Sequence, residues 1–281
     1  MKKITILLSL MLPVLLNAAY KPTLSPVDTV QYLATYKYDY QEDSTSALYK
    51  GNAYMCLQIG NRLCRFAARS RITTDSIHVA LKNTDSNLRN SSVQKAFVND
   101  FASTYFARYS IFSGLNVKSI DFYEGTYKPY HFYEETCFNW NFVADSDTTI
   151  AGYLCKKALT SYRGRNFEAW YTLEIPFSKG PFKFNGLPGL IVKIKDTKEE
   201  HVFELSSFKK VNYESLIYTV DYKKSNLPLT EIEADDYFKL KRNIQLERLG
   251  IFGNPDIKLD PEKLDEVSQK ILRRNNQIDK Y

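Results

Sequence analysis

A strand, turn and strand around residues 180–194, GPFKFNGLPGLIVKI, constrain the fold of this chain most tightly. At residues 187–190, Leu-Pro-Gly-Leu, the order of residues is typical of a type II turn. Proline presets a negative φ at the second position, and glycine takes the positive φ of the third at low cost. The following LIVKIKD is typical of a strand and not of the helix that a phosphate-binding loop requires. The predicted structural turn consists of Gly186, Leu187, Pro188 and Gly189.

Alternating apolar and polar residues predict strands over most of the chain. Residues 30–40, VQYLATYKYDY, place every second side chain from Tyr32 to Tyr40 on one face. The 21 tyrosines and 17 phenylalanines favour strands, because aromatic side chains fit a pleated, half-buried surface. Further strands are predicted at residues 71–81, 153–164, 165–175, 190–196, 201–211 and 216–222.

Two regions have a helical period instead. An apolar or aromatic residue recurs every four positions between Val93 and Tyr105, which predicts an amphipathic helix inserted among the strands. After residue 225 the composition becomes polar, and Thr230 and Asp260 are placed to cap two C-terminal helices. We therefore predict a mainly β (α+β) fold, a curved, open barrel-like antiparallel sheet with an inserted helix and C-terminal helices.

The first 19 residues have the layout of a secretory signal peptide. Two lysines precede an apolar core, and small residues follow it at 17–19. The core is too short for a membrane span and contains Pro13, although a retained anchor is the alternative. We predict a signal peptide at 1–19, a β domain at 20–225 and a helical region at 226–281. No later stretch is apolar enough to cross a bilayer, so we expect a protein of the periplasm, the outer membrane surface or the medium.

The charge of the chain is mild. The chain has 38 basic and 32 acidic residues, and loss of Lys2 and Lys3 leaves 36 against 32, a net charge of +4. The basic residues are scattered and form no block, so binding of nucleic acid is not expected.

Four cysteines follow the export signal, which favours disulfide bonds. A hairpin that turns at Ser146 would set Cys137 opposite Cys155 and Trp140 opposite Gly152, with one wholly apolar face. Because register and cysteine position agree, we predict a Cys137–Cys155 disulfide.

The second cysteine pair is less well defined. Cys56 and Cys64 flank LQIGNRL, where a three-residue loop centred on Gly60 would place them opposite each other. A two-residue Gly60-Asn61 turn would instead oppose Cys56 to Arg65. A four-thiolate zinc site is the other reading, but the close C-x2-C spacing is missing.

The chain shows no familiar catalytic, cofactor or metal motif. Its three histidines lie in separate strand-like stretches, and neither a G-x-S-x-G elbow nor a P-loop is present. The richest polar segment is YRGRNFEAWYTLEIP, and from it we take the candidate binding residues Arg163, Arg165, Glu168 and Trp170. In a strand the two arginines would face away from Glu168 and Trp170, so pairing of an arginine with a cross-strand carboxylate is the favoured interpretation.

The stretch from Tyr133 to Asp196 resembles the GLPGLI family of secreted bacterial proteins, whose hexapeptide occupies residues 186–191. The motifs YEE, IAGYLCKKA, RGRNFEAWYTLEIP and GPFKFNGLPGLI follow in the same order, with Trp140 between the first two. Phenylalanine occupies two positions, Phe167 and Phe182, where family members usually carry tryptophan. The resemblance implies an exported, largely antiparallel β protein and no established reaction, cofactor or catalytic residue.

We therefore predict a non-catalytic envelope protein without a cofactor. Its partner would be an apolar or peptide ligand, or an outer-membrane receptor or transporter. A periplasmic hydrolase or transferase that uses Glu134, Glu135 or Glu168 is one alternative, and a purely structural surface protein is another. Adjacent acids in a strand point to opposite faces, so Glu134 and Glu135 do not form a catalytic pair by themselves.

Overall fold

One large β-sheet dominates the fold. The computed structural model describes residues 23–46, 48, 50–82, 91–92, 109–115, 119–124, 129–212, 215–224 and 229–240. The strands are β1 (Leu24–Gln41), β2 (Lys50–Gly60), β3 (Leu63–Ala68), β4 (Tyr109–Gly114), β5 (Ser119–Glu124), β6 (Tyr130–Glu135), β7 (Asn141–Phe142), β8 (Thr148–Ile150), β9 (Tyr153–Tyr162), β10 (Arg165–Thr172), β11 (Leu190–Asp196), β12 (His201–Lys210), β13 (Leu216–Val220) and β14 (Thr230–Glu231).

The sheet is antiparallel except at one edge. Its hydrogen-bonded order is β14-β6-β5-β4-β3-β2-β1-β12-β11-β10-β9-β7, while β13 also pairs with β1 and β8 with β9. The exception is β14, which runs parallel to β6. The predicted mainly β, antiparallel fold is therefore confirmed, and the sheet is not closed by hydrogen bonds.

The sheet curls until its two ends touch through side chains. Strands β6 and β9 stand nine places apart in the order, which in a flat sheet would separate them by roughly 43 Å at ~4.8 Å per strand. Yet the hydroxyl of Tyr162 on β9 donates a hydrogen bond of 2.8 Å to Glu134 Oε1 on β6. The curvature thus brings residues distant in strand order to one place.

The central strand is β1, and its side chains alternate in burial as predicted. Ala34, Tyr36 and Tyr38 are buried on one face, as the alternation in residues 30–40 indicated. The phenol of Tyr36 donates to the carbonyl oxygen of Ile191 over 2.9 Å, two strands away in the order. Burial raises the pKa of Tyr36, so the phenol stays neutral and acts as a donor.

The connection between β10 and β11, residues 173–189, fills the space inside the curled sheet. Phe177 packs against Tyr32 with ring centroids 5.2 Å apart, and Phe184 packs against Phe167 at 4.8 Å. The backbone of the connection bonds to itself and to β11, for example from Ile191 N to Lys179 O at 2.9 Å. GPFKFNGLPGLI is therefore the end of a long buried connection and not a tight turn between strands.

The predicted type II turn at residues 187–190 is wrong, and the two glycines have other roles. Gly186 carries the positive φ, +92°, whereas Gly189 does not. A Cβ on Gly189 would lie 1.9 Å from the carbonyl oxygen of Thr172, so this position requires glycine for close backbone approach.

The predicted register of the Cys137–Cys155 hairpin is also wrong. The tight turn lies at Ala151-Gly152, both with positive φ, so Thr148 pairs with Cys155. Trp140 therefore does not cover Gly152. Its indole nitrogen donates to Asn185 O over 2.9 Å beside Gly186.

Neither predicted register of the Cys56–Cys64 hairpin occurs. Asp28 Oδ2 accepts hydrogen bonds from the backbone N–H groups of Arg62 and Leu63, so the loop consists of Asn61 and Arg62. Cys56 then pairs with Ala67, and Ile59 pairs with Cys64. Because residues 56 and 59 point to opposite faces, the two thiols lie on opposite faces of the sheet.

All four cysteines are free thiols in the structure, so the predicted disulfides of Cys56, Cys64, Cys137 and Cys155 are not formed. The physical reason is the register at both hairpins. Cys137 is exposed while its expected partner Cys155 is buried.

Residues 71–80 are helical, so the strand predicted at residues 71–81 is wrong. This helix, α1 (Arg69–Ala80), buries the polar residues Ser70, Thr74 and Asp75. Asp75 accepts a buried hydrogen bond of 2.5 Å from Arg65 on β3 and pairs with Arg71. A helix that buries a polar face lacks the apolar period that would identify it in the sequence.

Several predictions fall wholly or partly outside the described residues. The signal peptide at 1–19 and the second C-terminal helix from Asp260 lie wholly outside them. The inserted helix was predicted over residues 91–109; of these, residues 91–92 are described and helical, and Tyr109 begins β4. Thr230 does not cap a helix as predicted, because it belongs to β14, and the described part of the following helix, α2, covers residues 234–240.

Candidate functional site

Two cations converge on one carboxylate where the ends of the sheet meet. Glu134 on β6 accepts hydrogen bonds from Lys183 Nζ at 2.8 Å and from Arg163 Nη2 at 2.9 Å. Arg163 reaches this position because Arg163-Gly164 forms a two-residue turn with positive φ at both residues. The long connection between β10 and β11 supplies Lys183, whose side chain has no exposed surface.

Aromatic rings surround the Lys183 ammonium. Its nitrogen lies between 5.1 and 6.0 Å from four ring centroids, those of Phe132, Tyr162, Phe182 and Phe238. Ring faces attract a cation, and the paired carboxylate offsets the cost of burying its charge. The cluster therefore stabilises a charge that would otherwise be costly inside the protein.

The carboxyl of Glu134 is a fixed anion at neutral pH. Burial raises its pKa, but the charge of Lys183 and the hydrogen bonds from Lys183 and Tyr162 outweigh burial and lower the pKa overall. The pKa of Arg163 is raised, because Asp235 and Glu134 outweigh the effect of its burial. A carboxylate held in this way is poorly placed to act as a general acid near neutral pH.

Arg165 belongs to a different network, on the buried face of β10. Its Nη1 donates to Asp196 Oδ2 and to Glu200 Oε2, each at 2.7 Å. Asp196 also accepts from the backbone N–H of His201, whose Nδ1 lies 2.7 Å from the hydroxyl of Tyr38. This closely packed network ties β1, β10 and the β11–β12 turn together.

Glu168 and Trp170 lie on the outer face of β10, opposite to Arg165, as the alternation predicted, whereas Arg163 lies in the turn before β10. Glu168 pairs with Lys157 at 3.2 Å and Lys195 at 3.8 Å, and the Lys157 ammonium lies 5.1 Å from the Trp170 ring centroid. The four candidate residues are therefore divided among three places, and they form no common site.

A small pocket lies among the described residues inside the curled sheet. A pocket of about 10 Å³, enough for a single water, lies between β2–β4 and the 173–189 connection. Its lining includes Leu57, Phe66, Ser113 and Lys179. Phe182 and Phe184 of this connection are buried in the core, so side chains of the chain itself occupy part of the inner space.

Two exposed leucines lie at the end of β9 and β10 that is remote from Arg163, and an exposed phenylalanine lies on the neighbouring strand β7. Phe142, Leu154 and Leu173 are 62%, 56% and 56% exposed, and we call them the apolar end patch. The backbone N–H of Leu154 donates to Glu174, which follows Leu173, so these two strand ends lie side by side. The ring of Phe142 on β7 packs against Tyr171 of β10 at 6.1 Å. A grouped exposed apolar surface is typical of an interaction site.

The sequence did not predict which residues form ion pairs with Arg163 and Glu134. Lys183 lies between two phenylalanines in a Gly- and Pro-rich stretch, where no residue spacing indicates a binding role. Asp235 and Glu134 lie far from Arg163 in sequence, and only the curl of the sheet joins them. One local feature is consistent with a buried cation: Phe182 and Phe184 flank Lys183, and aromatic ring faces attract an ammonium group.

Within the described ranges, no group of three or more histidine, cysteine, aspartate or glutamate side chains is placed to hold a metal ion. The same residues contain no helix with the length and apolarity needed to span a membrane.

Comparisons with known proteins give a short family match and distant structural neighbours. The family model described as a protein of unknown function (Porph_ging) matches residues 160–193, from the end of β9 to the middle of β11. No curated protein matches the chain. Two solved structures of PNGF-II, in different space groups, are similar with TM-scores of 0.45 at 16% and 15% identity. The match covers 76% of this chain and 33% and 32% of theirs, so the chain spans about a third of the length of those structures.

Proposed function

We propose that the protein is an exported, non-catalytic envelope protein of the GLPGLI type that binds a protein or peptide partner at its surface. The observation that carries this proposal is the apolar end patch, formed by Phe142 on β7, Leu154 on β9 and Leu173 just after β10, on a sheet whose inner face is packed with the chain's own described side chains. The signal-like N-terminus and the family resemblance support export.

The filled interior favours a surface partner over an enclosed apolar ligand. Phe177, Phe182 and Phe184 of the β10–β11 connection occupy the position that a lipid or hydrophobic peptide would take inside a curved sheet. The pocket beside this connection, of about 10 Å³, is far below the several hundred Å³ of a typical ligand site. Both observations support a partner that meets the exposed surface.

The carboxylates do not favour a hydrolase or transferase. Glu134 is fixed by Lys183 and Arg163, and Glu168 pairs with Lys157 on the outer face. Binding without chemistry is the better account.

Site-specific photo-cross-linking in the native host tests the proposal. A photoreactive amino acid replaces Leu154 in one strain and Lys198 in another. Lys198 is exposed in the β11–β12 turn, beyond the other end of β10. We expect a discrete cross-linked partner from position 154 and none from position 198.

A charged variant gives the matched control. Leu154→Asp with Leu173→Asp should abolish the partner's co-purification while the melting temperature stays near that of the wild type, because both side chains are already exposed. Lys198→Asp places a new carboxylate outside the patch and should keep the partner. Equal cross-linking from both positions, or retention of the partner by the double variant, would contradict the proposal.

A further inference from the structure

Residues 229–240 lie across the edge strand β6 and bind it as a short peptide would. The segment adds β14 parallel to β6, with Thr230 N donating to Pro129 O at 2.9 Å and Ile232 N donating to His131 O at 3.0 Å. Among the described strands, β14 pairs with β6 alone. Addition of an extended segment to a sheet edge is a common mode of peptide recognition.

Two aromatic side chains anchor the helical half of this segment. Tyr237 and Phe238 are only 2% and 3% exposed. Phe132 on β6 contacts both rings, with centroid distances of 5.1 Å to Tyr237 and 5.6 Å to Phe238, and Tyr130 lies 6.1 Å from Tyr237. Buried aromatic anchors of this kind contribute most of the binding energy in many peptide and protein interfaces.

Charged groups fix the direction of the segment. Arg163 Nη1 donates to Asp235 Oδ1 at 2.9 Å, and its guanidinium carbon lies 5.1 Å from the Phe238 ring centroid. The Lys183 ammonium lies 5.1 Å from the same centroid, so Phe238 contacts two cations. At the strand end, His131 Nδ1 lies 2.5 Å from Glu231 Oε2.

The surface beneath the segment has the properties of a binding groove. It combines an apolar floor at Tyr130 and Phe132, the cationic groups of Arg163 and Lys183, and a strand edge whose backbone groups pair with the segment. We define the β6 groove by four residues: Tyr130, Phe132, Arg163 and Lys183. It matches a segment with an acidic residue followed two and three positions later by aromatic residues, as in Asp235-Asp236-Tyr237-Phe238.

We propose that the β6 groove is a peptide-binding site for acidic–aromatic segments, and that residues 229–240 occupy it as a tethered ligand. A partner protein that presents such a segment would compete with residues 229–240 for the groove. This site goes beyond the apolar end patch, since it lies at the β6 edge and uses none of the patch residues.

Fluorescence anisotropy with a labelled peptide of residues 229–240 tests the proposal on the full chain. The variant Tyr237→Ala with Phe238→Ala removes the anchors of the tethered segment and leaves the groove residues intact. We expect this variant to bind the peptide at least about 10-fold more tightly than the wild type, because a tethered ligand competes at an effective concentration in the millimolar range.

Two controls assign the binding to the groove. Arg163→Gln in the same variant should weaken peptide binding about 10-fold, by loss of the pair with Asp235 and of the contact with Phe238. A peptide with alanine at both aromatic positions should not bind. Failure of the folded variant to bind the wild-type peptide would overturn the proposal, because the segment would then be an inseparable part of the fold.

Hydrogen exchange of the wild-type chain keeps the proposal testable if the variant does not fold. We expect the amides of Thr230, Ile232 and Tyr237 to exchange through a local opening that is independent of denaturant. The amides of Phe167 and Ile194 in the middle of the sheet should exchange only through global unfolding. Exchange of all five amides through the same global opening would overturn the proposal.

Discussion

Gly189 lies against the backbone of Thr172, where a Cβ on residue 189 would be 1.9 Å from the Thr172 carbonyl oxygen. Thr172 ends β10, and Leu190, next to Gly189, begins β11 and pairs with it. The two strands are therefore joined at their ends by direct backbone packing. This contact lets the connection between them fold inward and fill the sheet.

Gly189→Ala should destabilise the protein severely. The added carbon would lie far inside the ~3.5 Å of normal carbon contact, and the clash is with backbone, which has little freedom to move. We expect a loss of about 3 kcal/mol or more in the unfolding free energy, measured by denaturant titration.

Gly152→Ala is the matched control. Gly152 has φ +86° but no neighbouring atom within 4 Å of the added carbon, so only backbone strain of about 1–2 kcal/mol is expected. Equal losses in the two variants would show that close packing at Thr172 is not the reason for glycine at position 189.

The strands could be predicted from the sequence because their periodicity is local. β1, β10, β11 and β12 follow from alternation alone, and the separation of Arg165 from Trp170 onto two faces of β10 follows from the same rule. The family match at residues 160–193 falls inside the stretch that carried the resemblance.

Strand registers and long-range contacts could not be predicted from local periodicity. Asp28 sets the β2–β3 register from another strand, and α1 is stabilised by the buried pair of Asp75 with Arg65 and not by an apolar stripe. The site around Glu134 exists only because the sheet curls. No spacing rule links Glu134 with Lys183, which lies 49 residues away on a long connection.

Arg165→Met should destabilise the fold strongly. It would leave Asp196 and Glu200 buried without the guanidinium that both carboxylates contact, which typically costs about 3–5 kcal/mol. Thermal and chemical denaturation at pH 7 measure the loss. Lys156→Ala breaks an exposed pair with Asp147 and should change stability little. Similar effects of the two substitutions would contradict the assigned role of Arg165.

Glu134 should make the unfolding free energy depend on pH in the acidic range. Burial raises the pKa of Glu134, but Lys183, Tyr162 and Arg163 lower it overall, so its folded-state pKa lies below the ordinary 4.5. The ionised carboxylate therefore stabilises the folded state above pH 4.5, and this contribution disappears as the pH falls through the folded-state pKa. Urea titrations should show the gap between wild type and Glu134→Gln shrinking below pH 4.5. A constant gap between pH 7 and pH 3 would contradict the assignment.

The thiols should differ in reactivity in the native protein. Burial raises the pKa of Cys64 and of Cys155 to about 11, so little thiolate forms at pH 8, and Cys56 is also buried. Exposed Cys137 should be alkylated first, as peptide mapping would show, and all four should react in urea. Recovery of disulfide-linked Cys137 and Cys155 would contradict the structure.

Native mass spectrometry of the protein purified from its own host tests the central claim most directly. The claim is that the chain fills its own interior and binds its partner at the surface. We expect the purified chain to carry no lipid or other small apolar molecule, and any bound partner to be lost with Leu154→Asp and Leu173→Asp. A stoichiometric small apolar ligand that survives both substitutions would contradict the account.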